Sequence, residues 1–174
     1  MAEQTTKGLI QVYTGDGKGK TTAALGLAMR AAGQGVRVAF IQFIKGQPCG
    51  EHFFVSQHQP FDIVQISVGD SFVKPKKQLS QEAQQTLAYA EQEIVSGNYG
   101  LVILDEILVA ISQGLITIKQ VLDLLDEKPN SVELVLTGRK APPEIVQRAD
   151  LVTEMLMIKH PFTEGIAARR GIEY

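Results

Sequence analysis

A glycine-rich stretch near the N-terminus, residues 14–22, separates an apolar run from a run with helical periodicity. The apolar residues 9–13 are typical of a buried strand, and residues 23–32 are predicted to form a helix. Glycines at alternate positions let the backbone turn sharply, and the N-terminus of the helix points the positive end of its dipole at this turn. The sequence therefore predicts a strand–loop–helix unit whose loop binds an anion such as a phosphate group.

The end of this loop matches the Walker A pattern for phosphate binding. Gly19, Lys20 and Thr21 supply the closing Gly-Lys-Ser/Thr, in which the lysine reaches the terminal phosphates and the hydroxyl holds Mg²⁺. Thr14 stands where the strict pattern has glycine. A glycine- and lysine-rich surface turn is the alternative, but such a turn would not require the flanking strand and helix. We therefore predict a phosphate-binding loop.

A second motif consists of four apolar residues, 101–104, followed directly by Asp105 and Glu106. This is the Walker B form, in which a buried strand brings carboxylates to the edge of the sheet. There they hold Mg²⁺ directly or through water, and a second acid can orient a nucleophile. A strand ending in a solvated acidic turn is the alternative. Lys20 and Thr21 favour the metal-binding interpretation, because a bound triphosphate needs its Mg²⁺ held from a second strand.

The rest of the chain alternates between predicted strands and helices. Residues 36–44 form a second strand and complete a strand–helix–strand unit, whose right-handed crossover makes the sheet parallel. Further strands are predicted at 61–68, 132–137 and 150–158, and further helices at 80–96, 118–126 and from Pro142 onward. We expect an α/β fold with three α/β/α layers and a mostly parallel sheet, of the P-loop NTPase (RecA-like) type. One domain is expected over residues 1–174, with an N-terminal tail at 1–7 and a docked C-terminal tail at 159–174.

Three further residues are predicted to lie at the sheet edge that carries the phosphate-binding loop. Lys45 follows the second strand, and either contacts a substrate or is solvated. Arg139 follows the strand at 132–137, and either binds a phosphate or carboxylate group or forms a surface ion pair. Phe72 lies in the polar loop after the third strand, either as a tucked anchor or as a lid residue over a ligand.

Composition excludes several classes of function. The formal net charge of -2 and the scattered basic residues provide no electrostatic surface for nucleic acid. The single cysteine, Cys49, excludes an internal disulfide and suits a reducing compartment, so a cytoplasmic location is expected. The longest apolar run, 101–111, is interrupted by two carboxylates, so no membrane-spanning segment is predicted. The histidines show no spacing typical of a metal site; they are His52, His58 and His160.

Taken together, these motifs resemble those of the P-loop corrinoid adenosyltransferases of cobalamin synthesis. The resemblance extends from near residue 8 to the end of the chain, and it includes the threonine at the first Walker A position. Its motifs are residues 14–22, Gln42-Phe43-Ile44-Lys45-Gly46, Leu104-Asp105-Glu106, Thr137-Gly138-Arg139, Lys159-His160-Pro161-Phe162 with Gly165, and Gly171-Ile172-Glu173-Tyr174.

The resemblance implies that the chain transfers the 5′-deoxyadenosyl group of ATP to the cobalt of a reduced corrinoid, cobalamin or a precursor, and releases triphosphate. It also implies a Mg²⁺ or Mn²⁺ ion, a homodimer, and a reduced flavoprotein as electron donor. Lys18, Lys20 and Glu106 would serve catalysis, while Thr21 and Glu106 would bind the metal with support from Asp105. The residues that bind or cover the substrates would be Gly15, Asp16, Gly17, Lys18, Gly19, Lys20, Thr21, Thr22, Lys45, Phe72 and Arg139.

Two departures from the family accompany this resemblance. Relatives that place aromatic residues under the corrin have Gly-Phe-Thr-Trp where this chain has Gly69-Asp70-Ser71-Phe72. Some relatives also carry an added N-terminal helix that covers the site, and we expect no counterpart of it here, because the first predicted strand begins near residue 9. Two other functions therefore stay open. One is a P-loop NTPase or small-molecule kinase with Glu106 as the base, and the other is a nucleotide-binding regulator without corrinoid chemistry.

Overall fold

A single parallel sheet organises the fold. The computed structural model of the protein describes residues 7–71 and 73–174, so residues 1–6 of the predicted N-terminal tail and Phe72 lie outside the described residues. The strands are β1 (Ile10–Thr14), β2 (Val38–Gln42), β3 (Asp62–Gln65), β4 (Leu101–Asp105), β5 (Glu133–Thr137) and β6 (Leu151–Glu154). They pair in the order β3-β2-β4-β5-β1-β6, and every pairing is parallel.

Helices cover both faces of the sheet. Their bounds are α1 (Lys20–Ala32), α2 (Gly50–His58), α3 (Lys76–Val95), α4 (Ile107–Ser112), α5 (Ile118–Glu127) and α6 (Pro143–Arg148), followed by a 3₁₀ helix at Pro161–Glu164. Apolar residues of α1 and α2 share one buried cluster with β2, and those of α3, α4 and α5 share a second cluster with it. None of the helices in residues 7–71 and 73–174 has the length and apolar composition needed to cross a membrane.

Strand β2 shows how the two helical layers enclose the sheet. All its residues are buried; Phe40 packs in the cluster of α1 and α2, and Ala39 and Ile41 pack in the cluster on the other face. Successive side chains of a strand point to opposite faces, so a strand buried at every position is covered on both. The predicted three-layer α/β fold with a parallel sheet is therefore confirmed.

The register of the strands brings the predicted motifs together. Gln42 at the end of β2 is level with Asp105 at the end of β4, and Tyr13 near the end of β1 is level with Thr137 at the end of β5. Because every strand runs in the same direction, the carboxyl ends of all of them lie at one edge. Ligands of open α/β sheets bind at this edge.

Two helices were missing from the sequence prediction. No helix was predicted between the second and third strands, but α2 spans Gly50–His58, and it buries only Val55 while Phe53 and Phe54 are exposed. A helix without a continuous apolar stripe gives no periodic signal. Helix α4 was not predicted for the opposite reason. Its short sequence is apolar on nearly all sides and follows closely on that of β4, so periodicity does not separate the helix from the strand. Strands β3 and β6 are also shorter than predicted.

Candidate functional site

The predicted phosphate-binding loop joins β1 to α1, and the chain that follows β6 packs against it. Gly15 and Gly19 have φ values of 99° and 121°, in the region that favours glycine. The N–H of Gly17 donates to the carbonyl oxygen of Met155 at 2.7 Å, so this N–H is engaged within the chain. A β-carbon at Gly15 would overlap the same carbonyl oxygen. The loop glycines thus permit close packing against Met155 as well as the turn itself.

We expect Gly15→Ala to lower the free energy of unfolding by about 2–5 kcal/mol, because it combines a positive φ with a backbone clash. Urea unfolding measures this change in the free energy of unfolding. Gly26→Ala is the matched control, since Gly26 is exposed within α1 and a β-carbon there would have no neighbour within 4 Å. Alanine at that helical position is expected to raise the free energy of unfolding by about 0.5–1 kcal/mol. Equal effects of the two substitutions would contradict the packing role of Gly15.

Lys20 begins α1 and carries the predicted phosphate-binding ammonium. Its Nζ donates to the carbonyl oxygen of Gly17 at 2.6 Å, and the residue is only 7% exposed. Burial lowers the pKa of Lys20 below its ordinary value, and the nearby carboxylate of Glu106 opposes this change. A positive charge in such a partly desolvated position interacts strongly with an anion, because little water screens it.

Asp105 is the centre of a hydrogen-bond network that joins the two Walker motifs. Its carboxylate is fully buried, and its Oδ1 accepts hydrogen bonds from the hydroxyls of Thr21 at 2.9 Å and Thr137 at 2.7 Å. Its Oδ2 accepts from Gln42 Nε2 and from Lys45 Nζ, each at 3.2 Å. The donors come from α1, β5, β2 and the loop after β2, so this one carboxylate fixes several elements of the site.

Glu106 lies next to this network but faces the open side. It has a left-handed φ of 63° and precedes α4, and its N–H donates to Thr137 Oγ1 at 3.0 Å. Burial, together with the negative charge of Asp105, raises the pKa of Glu106, and Lys45 and Lys20 offset part of this rise. A nearby cation would favour the ionised form of this carboxylate.

The oxygen atoms around Thr21 fit a Mg²⁺ ion, which prefers hydroxyl and carboxylate ligands. The Thr21 hydroxyl donates its hydrogen bond to Asp105, which leaves the hydroxyl lone pairs available to a cation. The carboxylate of Glu106 accepts no hydrogen bond from any residue in the described ranges, 7–71 and 73–174. Asp105, by contrast, is saturated with donors, which suits it to holding Thr21 in place.

A cavity of about 620 Å³ opens over these groups. Most of the predicted site residues line it, namely Asp16, Gly17, Lys18, Gly19, Lys20, Thr21, Thr22, Lys45, Glu106 and Arg139. Gly15 and Asp105 do not line the cavity. Gly15 packs against Met155, and Asp105 accepts a hydrogen bond from Thr21, which does line it. The prediction for Phe72 falls outside the described residues.

Lys18 and Arg139, like Lys45, are predicted cations of the cavity that are paired with carboxylates of the chain. Lys18 Nζ lies 2.9 Å from Glu173 Oε1 and 3.1 Å from the carbonyl oxygen of Ile172. Arg139 Nε lies 3.9 Å from Asp16 Oδ1. The contacts of Lys18 bring the end of the C-terminal segment onto the phosphate-binding loop, and residues 171–174 line the cavity.

Helix α2 adds a wall to the cavity that the sequence prediction missed. Glu51 accepts a hydrogen bond from Gln42 Nε2 at 3.4 Å and lies 3.9 Å from Lys45 Nζ. Burial alone would lower the pKa of Lys45, but Asp105 and Glu51 raise it above its ordinary value. The apolar residues that line the cavity include Phe54 and Val55 of α2, Leu25 and Met29 of α1, and Phe61. The spacing of Leu25 and Met29 on α1 was the one available signal, and it equally fits a core-facing helix.

Helix α2 also begins with a group of possible metal ligands that their sequence spacing did not indicate. Ligand atoms of Cys49, Glu51 and His52 lie within 4.8 Å of one another. However, His52 Nδ1 accepts the N–H of Cys49 at 2.9 Å, and Glu51 contacts Lys45. These contacts are those of a helix cap and an ion pair, and they account for the arrangement without a metal.

Comparison with known proteins agrees with the motifs. A family model described as ATP:corrinoid adenosyltransferase BtuR/CobO/CobP matches residues 6–174. The chain is 35% identical to a corrinoid adenosyltransferase of Pseudomonas aeruginosa, in an alignment that covers 97% of this chain and 84% of that protein. Its identity to the corrinoid adenosyltransferase of a Sinorhizobium species is 39%, with coverage of 97% and 81%. For the corrinoid adenosyltransferase of Escherichia coli K12 the identity is 33%, with coverage of 98% and 88%.

Proposed function

This chain belongs to the family of ATP:corrinoid adenosyltransferases, and we propose that it carries out the family reaction in the cavity over the phosphate-binding loop. In this reaction the 5′-deoxyadenosyl group of ATP is transferred to the cobalt of a reduced corrinoid. The cobalt attacks C5′, a cobalt–carbon bond forms, and the C5′–O bond breaks with its electron pair leaving on triphosphate. The observation that carries the proposal is the contact of Thr21 with Asp105, because it joins the two Walker motifs in one site.

The residues of the cavity suit a reaction whose nucleophile comes with the substrate. Reduced cobalt attacks without help from a side-chain base, so the protein has to orient C5′ and stabilise the leaving triphosphate. Lys20 and the adjoining loop would bind the phosphates, and Lys18 would join them on release from Glu173. Lys45 and Arg139 would contact the ligands from the loops after β2 and β5. A kinase or NTPase would instead use Glu106 as a base, and the family membership does not favour that reaction.

We also propose that Thr21 and Glu106 hold a Mg²⁺ ion, with Mn²⁺ as a substitute, and that Asp105 orients Thr21. The hydroxyl and carboxylate oxygens of this set support the proposal. When bound, the ion would neutralise charge on the departing triphosphate. Asp105 accepts the hydrogen bond of the Thr21 hydroxyl, and this keeps the lone pairs of the hydroxyl pointing away from Asp105, where they would be available to the ion.

The activity is expected to depend on pH through Glu106. A metal ligand must be deprotonated, and the pKa of Glu106 is raised, so kcat/KM should fall with decreasing pH already above the range of an ordinary glutamate. Protons and Mg²⁺ compete for the same carboxylate, so raising the Mg²⁺ concentration should move this decline to lower pH. Initial rates measured over pH at several Mg²⁺ concentrations provide the test. A decline at the same pH at all concentrations would show that Glu106 is not a ligand.

Several properties of the whole protein belong to the same proposal. A reduced flavoprotein would supply electrons, because the cobalt must be reduced before it attacks C5′. The chain would act as a cytoplasmic homodimer of single-domain subunits, in which residues 159–174 form a tail docked through Lys18. Light scattering of the purified protein measures its oligomeric state, and a monomer at assay concentration would contradict the dimer.

One assay distinguishes the three candidate functions. The protein is mixed with Mg·ATP and chemically reduced cobalamin, and products are followed by absorbance and by phosphate analysis. An adenosyltransferase forms a light-sensitive cobalt–carbon bond and releases triphosphate. An NTPase yields ADP and phosphate without any need for corrinoid, a kinase yields ADP once a hydroxyl acceptor is added, and a nucleotide-binding regulator yields neither product. The absence of both the cobalt–carbon bond and triphosphate would refute the proposed function.

A further inference from the structure

The C-terminal segment places a carboxylate against the predicted phosphate-binding loop. Glu173 Oε1 lies 2.9 Å from Lys18 Nζ, and the same ammonium donates to the carbonyl oxygen of Ile172 at 3.1 Å. Lys18 and Glu173 both line the cavity, together with Lys20. A negative charge of the chain itself therefore lies in the region where the phosphates are proposed to bind.

Arg169 holds this carboxylate in position. Its backbone N–H donates to Glu173 Oε2 at 2.7 Å, and its Nη2 donates to Glu173 Oε1 at 2.9 Å. The N–H of Glu173 in turn donates to the carbonyl oxygen of Arg169 at 2.9 Å. The hydrogen bonds from Arg169 and Lys18 lower the pKa of Glu173 to about 2, so the carboxylate is ionised at neutral pH.

The contact between Lys18 and Glu173 is one that another anion can replace. The two side chains are 46% and 24% exposed, and exposed ion pairs contribute little to stability, so exchanging Glu173 for a phosphate group costs little. Lys20 differs in this respect, because its ammonium donates to the carbonyl oxygen of Gly17 and is mostly buried. Of these two lysines of the loop, Lys18 is thus the one whose partner is a carboxylate.

A competing carboxylate matters most for the product. Triphosphate gains a negative charge when the C5′–O bond breaks, so the lysines and the N-terminus of α1 bind it more strongly than they bind the phosphates of ATP. The same interactions that stabilise the leaving group therefore oppose its departure, and product release limits the turnover of many enzymes. A carboxylate that returns to Lys18 weakens the binding of the product.

We propose that Glu173 competes with triphosphate for Lys18 and thereby promotes release of this product. Glu173 is a positioning residue, since it acts through Lys18, and Arg169 keeps it within reach. This inference rests on the proposed function and adds to it the way in which the leaving group departs. A purely structural role of Glu173, in which it only holds residues 171–174 over the cavity, predicts the opposite effect, because loss of that cover would weaken binding.

The test is a titration of the full chain with inorganic triphosphate in the presence of Mg²⁺. Glu173→Gln removes the charge and keeps the size of the side chain, and we expect it to lower the dissociation constant of triphosphate by about three- to tenfold. The inhibition constant of triphosphate in the adenosyl transfer assay should fall by the same factor. Glu164→Gln is the matched control, because it removes the same charge from the exposed pair with Lys159 in the same segment. It should leave both constants unchanged.

The Lys18→Ala background shows whether the effect acts through Lys18. In that background Glu173→Gln should change the dissociation constant of triphosphate by less than about twofold, because nothing is left to compete for. Equal tightening in both backgrounds would mean that net charge is responsible, and it overturns the inference. Unchanged or weaker binding by Glu173→Gln alone overturns it as well. A wild-type protein that forms no cobalt–carbon bond would refute the proposed function instead, and the titration requires no corrinoid, so the two failures are distinguishable.

Discussion

Lys20→Ala is expected to lower kcat/KM for adenosyl transfer by about 10³-fold, which would make turnover nearly undetectable. The leaving triphosphate gains negative charge as the C5′–O bond breaks, and Lys20 is the least solvent-exposed cationic residue that lines the cavity in the described part of the chain. Removing a preorganised charge from a desolvated site cannot be compensated by water at the moment of reaction. Single-turnover formation of the cobalt–carbon bond measures the loss.

The fold should survive this substitution. Lys20 makes one hydrogen bond, to the carbonyl oxygen of Gly17, and its lowered pKa shows that burial already disfavours the charged form. Circular dichroism and thermal unfolding should therefore match the wild type. Lys119→Ala, on the exposed surface of α5, is the matched control for loss of a lysine and should retain full activity. Retained activity of Lys20→Ala with an unchanged KM for ATP would contradict the placement of the phosphates.

The sequence allowed the fold and the centre of the site to be predicted because the strongest signals there are local. A buried strand, a glycine loop and a helix follow one another over residues 9–32, and apolar residues precede Asp105 in the same way. Because parallel strands all run in one direction, their carboxyl ends lie at the same edge of the sheet. Thr21 and Asp105 are far apart in the chain, yet Thr21 Oγ1 lies 2.9 Å from Asp105 Oδ1 at this edge.

The features that the sequence did not reveal depend on tertiary contacts. Met155 supports the phosphate-binding loop through its backbone carbonyl, which no side-chain pattern records. Glu51 reaches the site only because α2 starts at Gly50, and α2 lacks an apolar stripe. Lys18 was assigned to phosphate binding from its place in the loop, whereas its ammonium contacts Glu173 at the opposite end of the chain. Its role in binding phosphate stays a prediction.

Replacing Asp105 with asparagine tests the proposed metal site more sharply than removing the whole side chain would, because the two carboxylate oxygens of Asp105 have different kinds of partners. The donors to Oδ2 include Lys45, whose ammonium can only donate a hydrogen bond. The donors to Oδ1 are the hydroxyls of Thr21 and Thr137, which can either donate or accept. In Asp105→Asn the single remaining oxygen therefore has to face Lys45, and the amide NH₂ has to face the hydroxyls.

We expect Asp105→Asn to fold but to lower kcat/KM by about 10- to 100-fold at a fixed Mg²⁺ concentration. With an NH₂ group opposite, Thr21 must accept a hydrogen bond, and this takes up a lone pair that the proposed ion needs. Excess Mg²⁺ should recover part of the activity, and the Mg²⁺ dependence of nucleotide binding measures the same shift without turnover. Gln42→Met serves as the control, because it removes a donor to Oδ2 of the same carboxylate but leaves the hydrogen bond of Thr21 in its original direction. An Asp105→Asn variant with wild-type Mg²⁺ dependence would show that Thr21 does not bind the metal.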